Sequence, residues 1–137
     1  VLCTTRGEVI IENNRCCKVW GPALRVEDDC NFWFESGYTK EIIFRNNEVT
    51  ACDYAQMWES APTIRYTPKV MDEKSEAFVH GRLTLTGNTF KEARNGEHSI
   101  WLEYLREAQI TNNTFDAPYK IRTRCVGNVL DEGNETI

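Results

Sequence analysis

Ten consecutive residues, Asp28-Asp29-Cys30-Asn31-Phe32-Trp33-Phe34-Glu35-Ser36-Gly37, hold three carboxylates and three aromatic rings and end on a turn signal. Core formation alone does not need that composition, whereas a site that holds a sugar ring and moves protons around it would use it. Hydrolysis at a sugar ring commonly takes a pair of carboxyl groups, one protonating the leaving oxygen and the other acting from the opposite face. Asp28 and Asp29 are adjacent, so on an extended strand their side chains face opposite ways and one of them meets a given cleft. At a bend both would face it, and the pair would raise one pKa. Glu35, between Phe34 and Ser36, sits where an apolar setting would raise its pKa and suit it to an acid role or to hydroxyl binding; the competing reading is a carboxylate that accepts backbone amides of its own loop. Trp33 offers a broad face for the axial C–H groups of a sugar, and Trp58 is a second such candidate.

These residues need a scaffold, and the chain advertises one through repetition. Glu8-Val-Ile-Ile-Glu-Asn-Asn14, Glu41-Ile-Ile-Phe-Arg-Asn-Asn47, Arg82-Leu-Thr-Leu-Thr-Gly-Asn88 and Ala108-Gln-Ile-Thr-Asn-Asn113 are four versions of one strand ended by Asn. The last two continue into Thr89-Phe90 and Thr114-Phe115. The Asn positions lie 33, 41 and 25 residues apart, within the roughly 20–45-residue periods of solenoids. Over the shortest interval the other two carry insertions, which in repeat folds collect as loops on one face. Asn tolerates the left-handed backbone of a sharp bend, and stacked Asn side chains would hydrogen-bond in a ladder, with the Phe residues stacked inside. A second strand follows each Asn: Ala23–Val26, Thr63–Tyr66, Ser99–Leu102 and Tyr119–Arg122 alternate apolar and polar residues. The expected fold is an all-β parallel β-helix of about four to five coils. A β-sandwich also has many short strands but does not explain the recurring Asn.

Bulk properties agree with one domain, residues 1–137, read as a piece of a larger protein. Net charge is −5 with Lys and Arg scattered singly, which argues against nucleic acid as partner. No apolar run reaches the length of a membrane span. The six cysteines show neither CxxC spacing nor a partnering His cluster, so free thiols, buried among apolar residues, are expected rather than a metal site. Open solenoid ends would allow end-to-end self-association.

With Asn-Asn ladders and the Asp28-Asp29-x-Asn31-x-Trp33-Phe34-Glu35-Ser36-Gly37 block in hand, the chain resembles the right-handed, single-stranded parallel β-helix of α-1,3-galactosidases of glycoside hydrolase family 110. The likeness continues through Ile42–Asn47, Ile64-x-Tyr66-x-Pro68, and His80 ahead of Leu83-x-Leu85-x-x-Asn88-x-Phe90. The resemblance implies an inverting exo-hydrolase, independent of metal or any other cofactor and located outside the cytoplasm, that removes terminal α-linked galactose from a glycan. It implies that the Asp pair supplies the general base, Asp29 foremost with Asp28 assisting. It further implies an acid after Pro68, where this chain carries Lys69; Glu59, Glu73 and Glu76 are the carboxylates left to replace it. Lys69 would be a surface lysine or a ligand for an anionic sugar group. His80 would bind a sugar hydroxyl or cap its strand. The alternative function is a β-helix that keeps a carbohydrate cleft without catalysis. Polysaccharide lyase action, also found on β-helices, usually needs a Ca²⁺ site, and no clean Ca²⁺ loop appears in the sequence.

Overall fold

The computed structural model describes residues 1–29, 37–52, 62–68, 77–93 and 96–137. Among the described residues, three parallel sheets of five strands each hold nearly all the regular structure. Sheet A contains β1 (Leu2–Cys3), β4 (Leu24–Val26), β7 (Ile64–Tyr66), β10 (His98–Glu103) and β13 (Tyr119–Arg124). Sheet B contains β2 (Glu8–Glu12), β5 (Glu41–Arg45), β8 (His80–Thr86), β11 (Leu105–Thr111) and β14 (Asn128–Glu132). Sheet C contains β3 (Arg15–Cys17), β6 (Glu48–Thr50), β9 (Thr89–Lys91), β12 (Thr114–Phe115) and β15 (Glu135–Thr136). The chain visits the sheets in the order A, B, C and repeats that order, so each strand pairs with its counterparts in the preceding and following triplets. This arrangement fits a β-helix. Among the described residues no helix is long and apolar enough to cross a membrane.

The alternation seen in the sequence sets which side chains enter the core. In sheet A, Leu24, Ile64 and Ile100 align as one buried row, and Val26, Tyr66 and Leu102 as the next. Sheet B contributes Ile42, Leu83 and Ala108 and, two residues on, Phe44, Leu85 and Ile110. Sheet C contributes Val49, Phe90 and Phe115, whose two phenyl rings stack 4.8 Å apart and 8° from parallel. Full burial of each such side chain is worth about 1.5–3 kcal/mol. The parallel column of like side chains is what fixes register, because a one-residue slip would turn every buried position outward. The expected stacking of the Phe residues is present. Ser99–Arg106, which could be forced into a helical pattern, forms strands β10 and β11.

The Asn ladder is present and runs through five residues rather than four: Asn14, Asn47, Asn88, Asn113 and Asn134. Asn47 donates its backbone N–H and its side-chain amide to Asn88 Oδ1 at 2.9 and 3.1 Å. Asn88 does the same to Asn113 Oδ1 at 3.0 and 2.9 Å, and Asn113 to Asn134 Oδ1 at 2.8 and 2.9 Å. Each buried amide also donates to a carbonyl of the previous triplet, as Asn88 does to Phe44 O at 2.9 Å. The left-handed backbone, however, falls one residue earlier than expected, at Asn13, Asn46, Gly87, Asn112 and Gly133. At Gly87 a Cβ would stand 2.6 Å from Asn46 Oδ1, so glycine both supplies the positive φ and makes room for its neighbour's amide.

The thiols are mixed. Cys3 and Cys52 are buried and free, whereas Cys17 is free and exposed. Burial pushes the Cys52 thiol up to about 11, which keeps it protonated and unreactive at neutral pH.

Candidate functional site

Where the chain leaves sheet A for sheet B, the connections differ greatly in length. In one triplet the passage is the single residue Tyr104, held at φ 55°. After β4 and after β7 it takes residues 27–40 and 67–79. The two long connections start side by side, because Val26 pairs with Tyr66 and Thr67 N donates to Val26 O at 3.0 Å. Glu27, Asp28 and Asp29 open the first; Thr67 and Pro68, both buried, open the second. The sequence separation of these two motifs is thus cancelled by register.

The alternation that buries Leu24 and Val26 turns Arg25 outward, and the same holds for Arg65 between Ile64 and Tyr66. Register then stacks Arg25, Arg65, Trp101 and Arg122 as one row across the outer face of sheet A. Glu27, only 7% exposed, forms an ion pair with the Arg25 guanidinium. That pairing offsets the cost of placing a carboxylate out of water. Arg65 Nε donates to Thr67 Oγ1 at 2.7 Å. Burial and the adjacent Arg25 push the Arg65 guanidinium below its usual range, while Glu27 and Glu103 oppose that shift. Trp101 donates its indole N–H to Ser99 Oγ at 2.9 Å, and the Arg122 guanidinium lies 5.3 Å from its ring centroid. A 220 Å³ groove runs beside it, lined by Trp101, Glu103, Arg122 and Arg124 among others.

Of the residues singled out from the sequence, Asp29 is 1% exposed and Asp28 half-buried, so the two differ in solvent access. His80 is placed in the interior at 2% exposure. Its Nδ1 accepts the Thr39 N–H at 3.0 Å, and its ring meets Tyr66 edge-on at 5.0 Å. Burial pushes its pKa down to about 4, so it is neutral at pH 7. The imidazole therefore fastens the corner at which its strand begins. Trp33, Glu35, Trp58 and Lys69 lie outside the described residues, as do Glu59, Glu73 and Glu76. Among the described residues no group of three or more His, Cys, Asp or Glu side chains is arranged to hold a metal ion.

Sequence reasoning missed Arg25, Glu27, Arg65 and Thr67, and it singled out neither Trp101 nor Trp20 for a site. Trp101 stands on the outer face and Trp20 is 68% exposed. One signal was available: Leu24-Arg25-Val26, Ile64-Arg65-Tyr66 and Ile121-Arg122-Thr123 carry the same triplet pattern at equivalent points of the repeat.

Chemically, a half-buried face with paired guanidinium and carboxylate groups beside an aromatic ring can hydrogen-bond a polyhydroxylated ring while packing its apolar side. The adjacent acidic run is made of groups that can exchange protons. An α-1,3-galactosidase A from Akkermansia muciniphila is 33% identical over 114 residues, which cover 83% of this chain and 17% of that relative. The chain is similar to α-1,3-galactosidases. An α-1,3-galactosidase A from Bacteroides fragilis is 32% identical, and an α-1,3-galactosidase B from Bacteroides thetaiotaomicron 31% identical, each over 91 residues. Those matches cover 66% of the chain and 15% of each relative. The chain thus spans less than a fifth of the length of these relatives. No family model matches it.

Proposed function

We propose that this chain is the site-bearing part of a glycoside hydrolase, a right-handed, single-stranded parallel β-helix of five coils that releases terminal α-linked galactose with inversion. The observation that carries this reading is the acidic run Glu27-Asp28-Asp29 leaving sheet A beside the Arg25–Arg65 row, within a stretch similar to α-1,3-galactosidases. Asp29 acts as general base on the attacking water, and Asp28, more exposed, positions that water. Arg25 and Arg65, whose guanidinium groups offer several donors in a fixed plane, hold sugar hydroxyls. Glu35 serves as acid or hydroxyl ligand, and Trp33 and Trp58 serve as aromatic platforms. Lys69, immediately after Pro68, contacts the glycan beyond the cleaved bond. His80 holds the wall from behind. The reaction needs no metal or other cofactor, and the protein works outside the cytoplasm on a glycan substrate.

Water adds to the anomeric carbon opposite the departing oxygen and gives its proton to Asp29, while the acid, for which Glu35 is the candidate, protonates the departing oxygen as its bond to that carbon breaks, so that galactose is released in the β configuration. Removing a positioned base costs about 10²–10⁴-fold in rate. Turnover of an α-1,3-galactosyl disaccharide by the protein containing this chain is therefore expected to fall by that factor in Asp29→Asn, with KM little changed. Equal turnover in Asp29→Asn and the unaltered protein would remove Asp29 from this role. Lys69, in the position where the resemblance implies an acid, favours a second reading, a carbohydrate-binding β-helix without catalysis. Saturable disaccharide binding with no galactose release would select it.

A further inference from the structure

The residues that open sheet B alternate in size along the stack. Register places Gly7, Lys40, Gly81, Arg106 and Gly127 in consecutive positions, flanked by the pairs Glu8↔Glu41, Glu41↔Arg82, Glu107↔Arg82 and Glu107↔Asn128. Gly81 is required by the backbone, since a Cβ there would stand 2.0 Å from Lys40 O. Lys40 and Arg106 stand on the strands to either side, their backbones two strand spacings, roughly 9–10 Å, apart. A 330 Å³ cavity is lined there by Tyr38, Phe78, Lys40, Gly81 and Arg106 among others.

The rim is unusual in chemistry. Tyr38 is 55% and Phe78 44% exposed, although both are large and largely apolar. The Phe78 ring is seated toward Gly127, where a Cβ would come within 3.0 Å of its Cζ. Among the described residues lining the cavity, the charged side chains are both cations. Lys40 is paired with Glu8 at 2.8 Å, but Arg106 makes no ion pair among the described residues.

We propose that this cavity, where the connections after β4 and β7 run into sheet B, is a second saccharide site, which takes a pyranose ring bearing a carboxylate or sulfate. The apolar side of the ring packs on Tyr38 and Phe78, as sugars do on amphipathic aromatic walls. The anionic group meets the Arg106 guanidinium, whose planar fork suits two oxygens at once, with Lys40 adding charge. A bare anion would leave the aromatic walls unused, and a neutral sugar would leave the Arg106 guanidinium unanswered. The volume, at the lower end of the roughly 300–1,000 Å³ range of ligand pockets, fits one ring. That the ligand is a saccharide rests on the proposed function; the anionic preference rests on the cavity alone.

The test is an NMR titration of the protein that contains this chain with methyl β-glucuronide, galactose 6-sulfate, galactose and inorganic sulfate, following the ring signals of Tyr38 and Phe78. At least one acidic sugar is expected to bind about tenfold or more tighter than galactose or inorganic sulfate, as the loss of one charge-assisted contact would give. Which acidic sugar binds names the anionic group. Arg106→Gln should abolish that preference, and Tyr38→Ala should weaken binding about tenfold; both side chains are exposed, so the strand ladder stays intact. Inorganic sulfate binding as well as the sugars, or Arg106→Gln binding as the unaltered chain does, would overturn the proposal. Asp29→Asn should leave these signals unmoved, so failure of this site and failure of the hydrolase reading are read separately.

Discussion

His80 shows how a residue can look chemical and be architectural. Its Nδ1 accepts the Thr39 amide and its ring is enclosed against Tyr66, so the fold holds it neutral. Because its folded pKa, about 4, lies below the ordinary 6.5, the unfolded chain takes up a proton first as pH falls. The contribution to stability is complete above pH 6.5, is lost between pH 6.5 and 4, and changes no further below that. The full loss corresponds to about 3 kcal/mol. Urea unfolding at pH 7.5 and 4.5 should show this loss in the native chain and a flatter dependence in His80→Leu, which is also weaker at both pH values because Thr39 loses its acceptor. Equal pH slopes in the two proteins would contradict it. The reason His80 looked like a ligand in the sequence is that a lone polar residue ahead of a strand carries no mark of whether the strand's first position faces in or out. Arg25 and Arg65 illustrate the converse. A single Arg between two apolar residues looks like an ordinary solvated position, and only pairing of Arg25 with Arg65 turns two such positions into one face.

At the scale of elements, the strands of sheet B were legible from their alternation, and β4 and β7 of sheet A, only three residues each, because an alternating apolar–polar pattern recurs after each ladder Asn. Those of sheet C were not: β3, β6, β9, β12 and β15 are two or three residues each and share no such recurring pattern, and only the Thr-Phe following two of the ladder Asn residues hints at them. The Asn signal was legible as a ladder but misplaced as a bend. The ladder Asn has its amide inside, and the preceding residue takes the positive φ. That division of labour makes a sharp prediction. Asn88→Ala removes the acceptor for Asn47 N–H and the donor to Phe44 O, both buried. At about 1–3 kcal/mol for each orphaned group, the substitution should cost about 3 kcal/mol or more in urea-induced unfolding. Gly87→Ala should also destabilise, through its positive φ and its contact with Asn46. A loss below about 1 kcal/mol in Asn88→Ala would mean that the ladder amides find other partners.

For the molecule as a whole, what matters is that the long connections after β4 and β7 spring from adjacent strands of the same sheet, so two motifs 40 residues apart in sequence begin as neighbours. The composition of Asp28–Gly37 was enough to mark a candidate site, and strand pairing supplies the reason its first residues start beside Thr67 and Pro68. The location of the acidic run follows from the repeat; which carboxylate would act with it does not, because Glu35 and the carboxylates near Lys69 fall in sequence insertions that no periodicity governs. The most direct test of the hydrolase reading is an NMR time course of an α-1,3-galactosyl disaccharide with the protein that contains this chain. The expected result is β-galactose as the first product, with the α anomer appearing only as solution mutarotation proceeds, and loss of both in Asp29→Asn. Appearance of α-galactose first would contradict inversion, and absence of any galactose would contradict catalysis.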